Sequence, residues 1–292
     1  VTVSVLYCAS RNMARPMNSL LFAAGSLGVT ILLLRALFVH AIPARAPDQA
    51  RVLQDASFVH LVLAGVTLAA LTVLDNPMGK MMQPAKEGTK PTLLQRLSSE
   101  GIKVEARAAW IMQELPTLLA VLAHVLYFGG RPQDAAWTLR DVPLALFMLH
   151  YVHRVFVYPV ATMRTSNAVP LGITLLANCY CCFNGRMQAG LFFLRDDAAP
   201  AGFEVNTLAA YFGTAVFLGG MAVNVSHDRM LAGLRKRGGR ATANGYVIPR
   251  GGLFSVISAA NLFGEIVEWA GYAIVCAAVA GPTGAAVGGA FA

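Results

Sequence analysis

The chain has 292 residues, of which 56% are hydrophobic and only 13% are charged, about half the charged fraction of an average soluble domain. This composition excludes an ordinary water-soluble domain and indicates a polytopic membrane protein. The net charge of +8 does not predict nucleic-acid binding, because Lys and Arg lie in a few loops between apolar segments, where lipid headgroups or a phosphorylated cofactor are the expected partners.

The first apolar segment, residues 20–39, follows Arg11 and Arg15 and is interrupted by Arg35. It lacks the small-residue cleavage site of a secretory signal peptide. A membrane span, an interfacial helix and a leader all fit this pattern. We therefore treat residues 1–56 as a separate N-terminal segment and residues 57–292 as one domain.

Six further apolar segments have lengths near that of a membrane helix, at residues 58–74, 108–128, 142–160, 168–194, 207–225 and 253–278. A Gly- and Ala-rich stretch after Pro282 begins a seventh. The predicted fold is therefore all-α, a seven-transmembrane-helix bundle with cytoplasmic cofactor-binding loops. Counted from residues 58–74 as the first span, Lys and Arg concentrate after the first and fifth spans, 58–74 and 207–225, and the positive-inside rule assigns those loops to the cytoplasm. A short helix is predicted at residues 92–99 within the first of them.

The last long segment contains a polar stripe. Asn261, Glu265, Glu268 and Tyr272 are spaced i, i+4, i+7 and i+11, so they share one face of a helix. Carboxylates at membrane depth must face a cavity, a ligand or partner side chains. The stripe therefore marks either a functional site or structural hydrogen bonds between helices. Glu268 is left open between a cofactor contact and the partner of an arginine.

Two earlier segments also carry polar groups. Glu114 precedes Pro116 and is a candidate proton donor to a carbonyl, or else a carboxylate that caps a broken helix or pairs with Arg. Tyr151, Arg154 and Tyr158 follow at i, i+3 and i+7 on one face, with His150 beside them. A phenol can polarise a ketone without carrying charge.

Asn224 and Asp228 lie one turn apart at the end of the fifth span, and a basic run that includes Arg235 follows. An amide and a carboxylate can hold a nucleotide's ribose or nicotinamide amide, and guanidinium groups bind phosphate. Neither G-x-G-x-x-G nor a P-loop is present, so a Rossmann or Walker site is not predicted. The basic run by itself also fits a lipid anchor.

Three of the five cysteines form the cluster Cys179, Cys181 and Cys182. With no second cluster and no nearby His, they are interpreted as small packing residues of a helix. No metal site is predicted.

Six motifs resemble, in order over about residues 75–280, those of the steroid 5α-reductase family, in a bacterial-type member. They are Trp110-Ile-Met-Gln-Glu-Leu-Pro116, His150-Tyr-Val-His-Arg154, Gly220-Met-Ala-Val-Asn-Val-Ser-His-Asp228, Leu234-Arg-Lys236, Ile248-Pro-Arg-Gly-Gly-Leu-Phe254 and Asn261-Leu-Phe-Gly-Glu-Ile-Val-Glu-Trp-Ala-Gly-Tyr272. Any one of them is weakly specific, whereas the ordered set is highly specific.

The resemblance implies a multi-pass membrane reductase that uses NADPH to reduce the Δ4 double bond of a 3-oxo steroid. Glu114 and Tyr151 would act on the steroid carbonyl, and the steroid slot would be lined by Trp110, Gln113 and Trp269. NADPH would be bound by Asn224, Asp228, Arg235, Tyr246, Asn261, Glu265, Tyr272, Arg154 and Arg164.

The implied protein is a monomer that takes its steroid from the bilayer and contacts membrane lipids. Its cofactor site would face the cytoplasm, from a bacterial inner membrane or, in a eukaryote, from the endoplasmic reticulum. The family continues beyond the position of Ala292 with a C-terminal tail, which we expect to be missing from this sequence. Two alternatives stay open: a reductase of another unsaturated lipid, of enoyl thioester or polyprenol type, and a non-catalytic sterol-binding protein.

Overall fold

The computed structural model describes residues 19–37, 48–73, 102–128, 137–163, 168–193, 202–234 and 247–292. This part of the chain is mostly helical, as the composition predicts. Its helices are α1 (Ser19–Ala36), α2 (Gln49–Val73), α3 (Ala106–Phe128), α4 (Val142–Val152), a π-helix continuing α4 (His153–Thr162), α5 (Leu171–Phe192), α6 (Thr207–Leu234) and α7 (Ala260–Phe291). Two short strands, β1 (Lys103–Val104) and β2 (Val169–Pro170), pair antiparallel and join the starts of α3 and α5.

A helix lies at each of the six apolar segments predicted after residue 57. Four stretches are long and apolar enough to cross a membrane, at Ala106–Leu126, Leu139–Thr162, Thr207–Leu234 and Ala260–Phe291. These helices indicate a membrane protein. The count of seven spans and the cytoplasmic side of the loops stay predictions, because the basic loops and the helix predicted at residues 92–99 lie outside the described residues.

The third predicted span is not a uniform α-helix. The α-helical part ends at Val152, and residues 153–162 form a π-helix, in which Met163 donates its N–H to the Tyr158 carbonyl five residues earlier, at 2.8 Å. Pro159 lies inside this stretch and has no N–H to donate. The wider π-turn changes the angular spacing of side chains around the helix, and Arg154 and Tyr158 still lie together, with the Arg154 guanidinium carbon 5.0 Å from the Tyr158 ring centroid.

The predicted start of the last long span, at residue 253, is seven residues too early, since α7 begins at Ala260. Gly251 and Gly252 have positive φ angles of 96° and 51°, and a short 3-10 turn follows them. Backbone in that region suits glycine and breaks an α-helix. His227 of α6 holds the turn, because its Nε2 accepts the N–H of Leu253 at 3.0 Å.

Helix α7 contains a reversal at Gly281, where φ is 58° and ψ is −140°. Residues 282–291 therefore fold back along residues 260–280. The ring of Phe291 lies 4.3 Å, centroid to centroid, from that of Trp269. A second helical segment thus follows Pro282, where the sequence predicts one, and it packs against the first.

Helices α6 and α7 cross with almost no side chain between their backbones. Gly213 and Gly220 of α6 face Gly264 and Gly271 of α7. A Cβ added at Gly220 would lie 2.6 Å from the Cα of Glu268, and one added at Gly271 would lie 2.7 Å from the Gly213 oxygen. Small residues permit this approach between helices in a membrane. It places the polar stripe of α7 directly against the end of α6.

Gly220→Ala tests this contact. The added methyl group has no space, so we expect the variant to lose about 1–3 kcal/mol of unfolding free energy through overpacking. Thermal unfolding in detergent measures the loss as a lower Tm. Gly219→Ala is the matched control, because no atom of another helix in the described ranges lies within 4 Å of a Cβ at that neighbouring glycine. Equal Tm values for the two variants would contradict the close crossing.

Candidate active site

Glu114 lies two residues before Pro116 in α3. Because proline has no N–H, the carbonyl of Met112 loses its helical partner. Asn178 of α5 takes that place, since its Nδ2 donates to the Met112 oxygen at 2.8 Å. The same amide is hydrogen-bonded to Thr30 of α1. The proline break thereby joins three helices beside Glu114.

The Glu114 carboxyl is only 4% exposed. Its Oε2 has no hydrogen-bond partner among the described residues. Arg154, His150 and Glu265 lie within electrostatic range of it. Leaving a buried polar group unpaired costs roughly 1–3 kcal/mol or more, so this oxygen is suited to a ligand.

Tyr151 of α4 is 1% exposed and lies within electrostatic range of Glu114. Its Oη accepts a hydrogen bond from Nδ2 of Asn184 at 3.4 Å. The phenol's own proton is donated to no group among the described residues. The structure therefore brings the two residues predicted to act on a carbonyl into one buried region, each with an unused hydrogen-bonding position.

Arg154 lies at the junction between the α3–α4 side of this region and α6. Its guanidinium carbon is 4.6 Å from the ring centroid of Trp110 and 5.0 Å from that of Tyr158. Nη1 is 3.8 Å from Oδ2 of Asp228. Nε and Nη2 are buried and have no hydrogen-bond partner in the described part of the chain. The side chain is thus positioned by stacking while two of its donor atoms remain unused.

Trp110 is held by the π-helix. Its Nε1 donates to the Arg154 carbonyl at 3.0 Å, and that carbonyl is the one that Pro159 cannot bond in an i to i−5 ladder. Gln113, also predicted to line the steroid slot, contacts Thr174 of α5 through Nε2 at 3.5 Å. Trp110 and Gln113, two of the three residues predicted to line the steroid slot, are thus buried on the α3 side of the region.

Amides and carboxylates connect the facing ends of α6 and α7. Asn224 donates Nδ2 to the Asn261 carbonyl at 3.0 Å, and Asn261 donates Nδ2 to Oδ1 of Asp228 at 2.9 Å. Asp228 therefore accepts a hydrogen bond from the Asn261 amide on Oδ1 and faces Arg154 with Oδ2. Glu265 is 5% exposed, and its Oε1 is unpaired among the described residues.

The other predicted cofactor residues divide into two groups. Tyr272 is fully buried, and its hydroxyl donates to Oε1 of Gln188 at 2.7 Å, so a contact with a cofactor stays a prediction. Arg164, Arg235 and Tyr246 lie outside the described residues. Trp269, predicted to line the steroid slot, is 4% exposed, and its indole Nε1 has no partner in the described ranges.

In the described part of the chain, Glu268 pairs with a histidine and with no arginine. Its Oε1 is 2.7 Å from Nδ1 of His150, and both side chains are buried. The His150 ring also lies 4.5 Å, centroid to centroid, from Trp269. The two choices that sequence reasoning left open for Glu268 omitted this partner, because nothing in the spacing shows that α4 and α7 pack together.

Sequence reasoning also missed Asn184 and Gln188. They are four residues apart on α5, both fully buried, and hydrogen-bonded to each other at 3.3 Å. Two amides at i and i+4 in an apolar span would have been a usable signal. Of the cysteines of the same helix, Cys181 and Cys182 are buried, as their packing interpretation predicts, whereas Cys179 is exposed.

Comparison with known proteins gives consistent matches. The family described as 3-oxo-5-alpha-steroid 4-dehydrogenase matches residues 167–285, a range that includes Asn184, Asp228 and Glu265 and begins after Glu114 and Tyr151. The enzyme 3-oxo-5-alpha-steroid 4-dehydrogenase 1 of Macaca fascicularis is 37% identical over 180 residues, which are 62% of this chain and 65% of that protein. The chain thus spans slightly less than two thirds of this relative.

The human relative of the same name is 39% identical over 185 residues, which are 63% of this chain and 68% of that protein. Similarity to 3-oxo-5-alpha-steroid 4-dehydrogenase 2 of Sus scrofa extends further, at 36% identity over 214 residues, or 73% of this chain and 78% of that protein. The resemblance carried by the motifs is therefore confirmed, and the chain belongs to the 3-oxo-5-alpha-steroid 4-dehydrogenase family of oxidoreductases.

Proposed function

We propose that the protein is an NADPH-dependent reductase of the Δ4 double bond of 3-oxo-Δ4 steroids, forming 5α-dihydro steroids. The observation that carries the proposal is the pair Glu114 and Tyr151. A carboxyl with an unpaired oxygen and a phenol with an undonated proton lie together in a buried, largely apolar region. The names of the related enzymes supply the substrate class.

The 3-oxo group of the steroid is the natural acceptor for this pair. Tyr151 donates a hydrogen bond from its hydroxyl to the oxygen, and Glu114 in its neutral form donates a second one. When bound, NADPH supplies the hydride that C5 of the steroid receives. Negative charge then develops on the 3-oxo oxygen, where the two donors stabilise the enolate. Uptake of one proton at C4, derived from water, completes the reduction.

The chain's own residues fit a reduced dinucleotide on the other side of Arg154. Arg154 offers Nε and Nη2, which have no partner in the described ranges, to an anionic group. Asn224, Asp228 and Asn261 present an ordered set of amide and carboxylate groups suited to ribose hydroxyls or a carboxamide. Glu265 adds an unpaired oxygen. These residues would hold the cofactor and orient it.

Burial gives these donors their effect. Tyr151, Arg154 and Glu265 are each at most 5% exposed, so water does not compete for their hydrogen bonds, and a donor in such a site is worth more than in solution. Large apolar side chains on the outside of the helices, such as Leu126 and Leu208 at 71% and 80% exposure, fit contact with lipid. The proposal accordingly includes entry of the steroid from the bilayer into a monomeric protein, with the cofactor site facing the cytoplasm.

The direct assay uses the purified protein in lipid vesicles with NADPH and progesterone or testosterone. We expect a 5α-dihydro product, identified by chromatography and mass spectrometry, with one NADPH oxidised for each steroid reduced. Consumption of an enoyl thioester with no 5α-dihydro steroid would overturn the steroid assignment. Tight steroid binding with no NADPH oxidation would indicate a sterol-binding protein instead.

Glu114→Gln and Tyr151→Phe test the carbonyl donors. We expect each to lower kcat by about 10²-fold or more, because each removes a donor used in the transition state, while the Kd for NADPH stays nearly unchanged. Glu105→Gln and Tyr211→Phe are controls, since Glu105 and Tyr211 are exposed. A variant that keeps its kcat but binds NADPH weakly would contradict this division of roles.

Asp228→Ala and Glu265→Ala test the cofactor side. Asp228→Ala leaves Arg154 and Asn261 without their shared carboxylate, so we expect the Kd for NADPH to rise about tenfold or more. The kcat at saturating NADPH should change less than the Kd. Titration of NADPH binding measures the effect, and the exposed residue Glu204 provides the control Glu204→Ala. A fall in kcat with an unchanged Kd would refute the assignment.

A further inference from the structure

Four buried polar side chains from three helices form one hydrogen-bonded row, which we call the amide relay. Its members are Tyr272 of α7, Gln188 and Asn184 of α5, and Tyr151 of α4. The Tyr272 hydroxyl donates to Gln188 at 2.7 Å, Gln188 donates to Asn184 at 3.3 Å, and Asn184 donates to the Tyr151 hydroxyl at 3.4 Å. None of the four is more than 1% exposed.

The relay has a direction. Gln188 and Asn184 each accept through the amide oxygen from the preceding member and donate through the amide nitrogen to the next, so Tyr272 is the first donor and Tyr151 the final acceptor. A phenol that accepts at its oxygen still has one proton to donate. That proton must point away from Asn184. In the reversed direction Tyr151 would donate to the Asn184 oxygen and would have no proton left for a ligand.

The relay is costly to bury unless it is fully bonded. An amide removed from water without compensating hydrogen bonds destabilises the folded protein. In both Gln188 and Asn184, the amide oxygen and the amide nitrogen each have a hydrogen-bond partner among the described residues. Packing alone does not require amides there, because Leu or Met would fill similar volume on an apolar helix at no such cost.

We propose that Asn184 and Gln188 are positioning residues that orient the Tyr151 hydroxyl so that its proton is presented to the substrate carbonyl. This inference rests on the proposed function and extends it to α5, which contributes neither of the two carbonyl donors. By accepting a hydrogen bond from Asn184, the phenol also becomes a stronger donor, since neighbouring hydrogen bonds polarise one another. The 3.4 Å separation between Asn184 and Tyr151 leaves room for that bond to shorten when substrate binds.

The test is a double-mutant cycle with neutral, volume-matched substitutions. Asn184→Leu removes the donor to Tyr151, and Gln188→Met removes the next link. Each is made in the wild-type protein and in Tyr151→Phe, whose residual turnover serves as the reference. Gln54→Met is the matched control, because Gln54 is a hydrogen-bonded glutamine on α2 that contacts Thr283 at 3.0 Å, outside the relay. The readouts are kcat, the Kd for NADPH and Tm.

We expect Asn184→Leu to lower kcat about tenfold and Gln188→Met about threefold, since one hydrogen bond is worth about 0.5–1.5 kcal/mol, with the Kd for NADPH unchanged. In the Tyr151→Phe background both losses should disappear, because no phenol remains to be oriented. A purely structural role would lower kcat by the same factor in both backgrounds.

Three outcomes would overturn the proposal while steroid reduction stands: wild-type kcat in Asn184→Leu, an equal loss in both backgrounds, or a loss of equal size in Gln54→Met. If Asn184→Leu does not fold, Gln188→Met decides by the same comparison. Absence of steroid reduction in the wild-type protein would instead overturn the proposed function, and the inference with it.

Discussion

The close crossing of α6 and α7 is the constraint on which the rest of the site depends. Gly220 and Gly264 let the two backbones meet without intervening side chains. Polar residues that would otherwise face lipid can then reach one another, so Asn224 of α6 bonds to the Asn261 carbonyl of α7. Larger residues at the two glycines would separate these groups and leave buried polar atoms without partners. The same glycines thus permit close packing of α6 against α7 and bring the polar groups of the site within hydrogen-bonding distance.

Prolines supply the second organising principle. Pro116 and Pro159 each remove one N–H from a helix, and a side chain of a neighbouring helix bonds to the carbonyl left free. Asn178 bonds to the carbonyl freed by Pro116, and Trp110 bonds to the one freed by Pro159. These bonds join α5 to α3 and α3 to the π-helix. A helix break that would be costly in lipid therefore becomes a specific contact between helices beside Glu114.

The candidate site has two sides that meet at Arg154. On one side, Glu114 and Tyr151 present hydrogen-bonding groups in apolar surroundings. On the other, Asp228 and Asn261 form a charged and amide-rich cluster. The Arg154 guanidinium stacks on Trp110 and faces Asp228, so it links both sides. This separation suits a reaction in which one bound molecule is apolar with a single carbonyl and the other is polar and anionic.

Much of this could be predicted from the sequence, because composition, periodicity and ordered motifs are local properties. They determined the mostly helical class, the helix positions, the family, and the candidate residues Glu114, Tyr151, Arg154 and Asp228. Only the tertiary structure decided which helices meet. Helix spacing shows which residues share a face but not which face of another helix lies opposite. For that reason the partner of Glu268, the contact of Phe291 with Trp269, the π-helix after Val152 and the amide relay through α5 emerged only from the packed bundle.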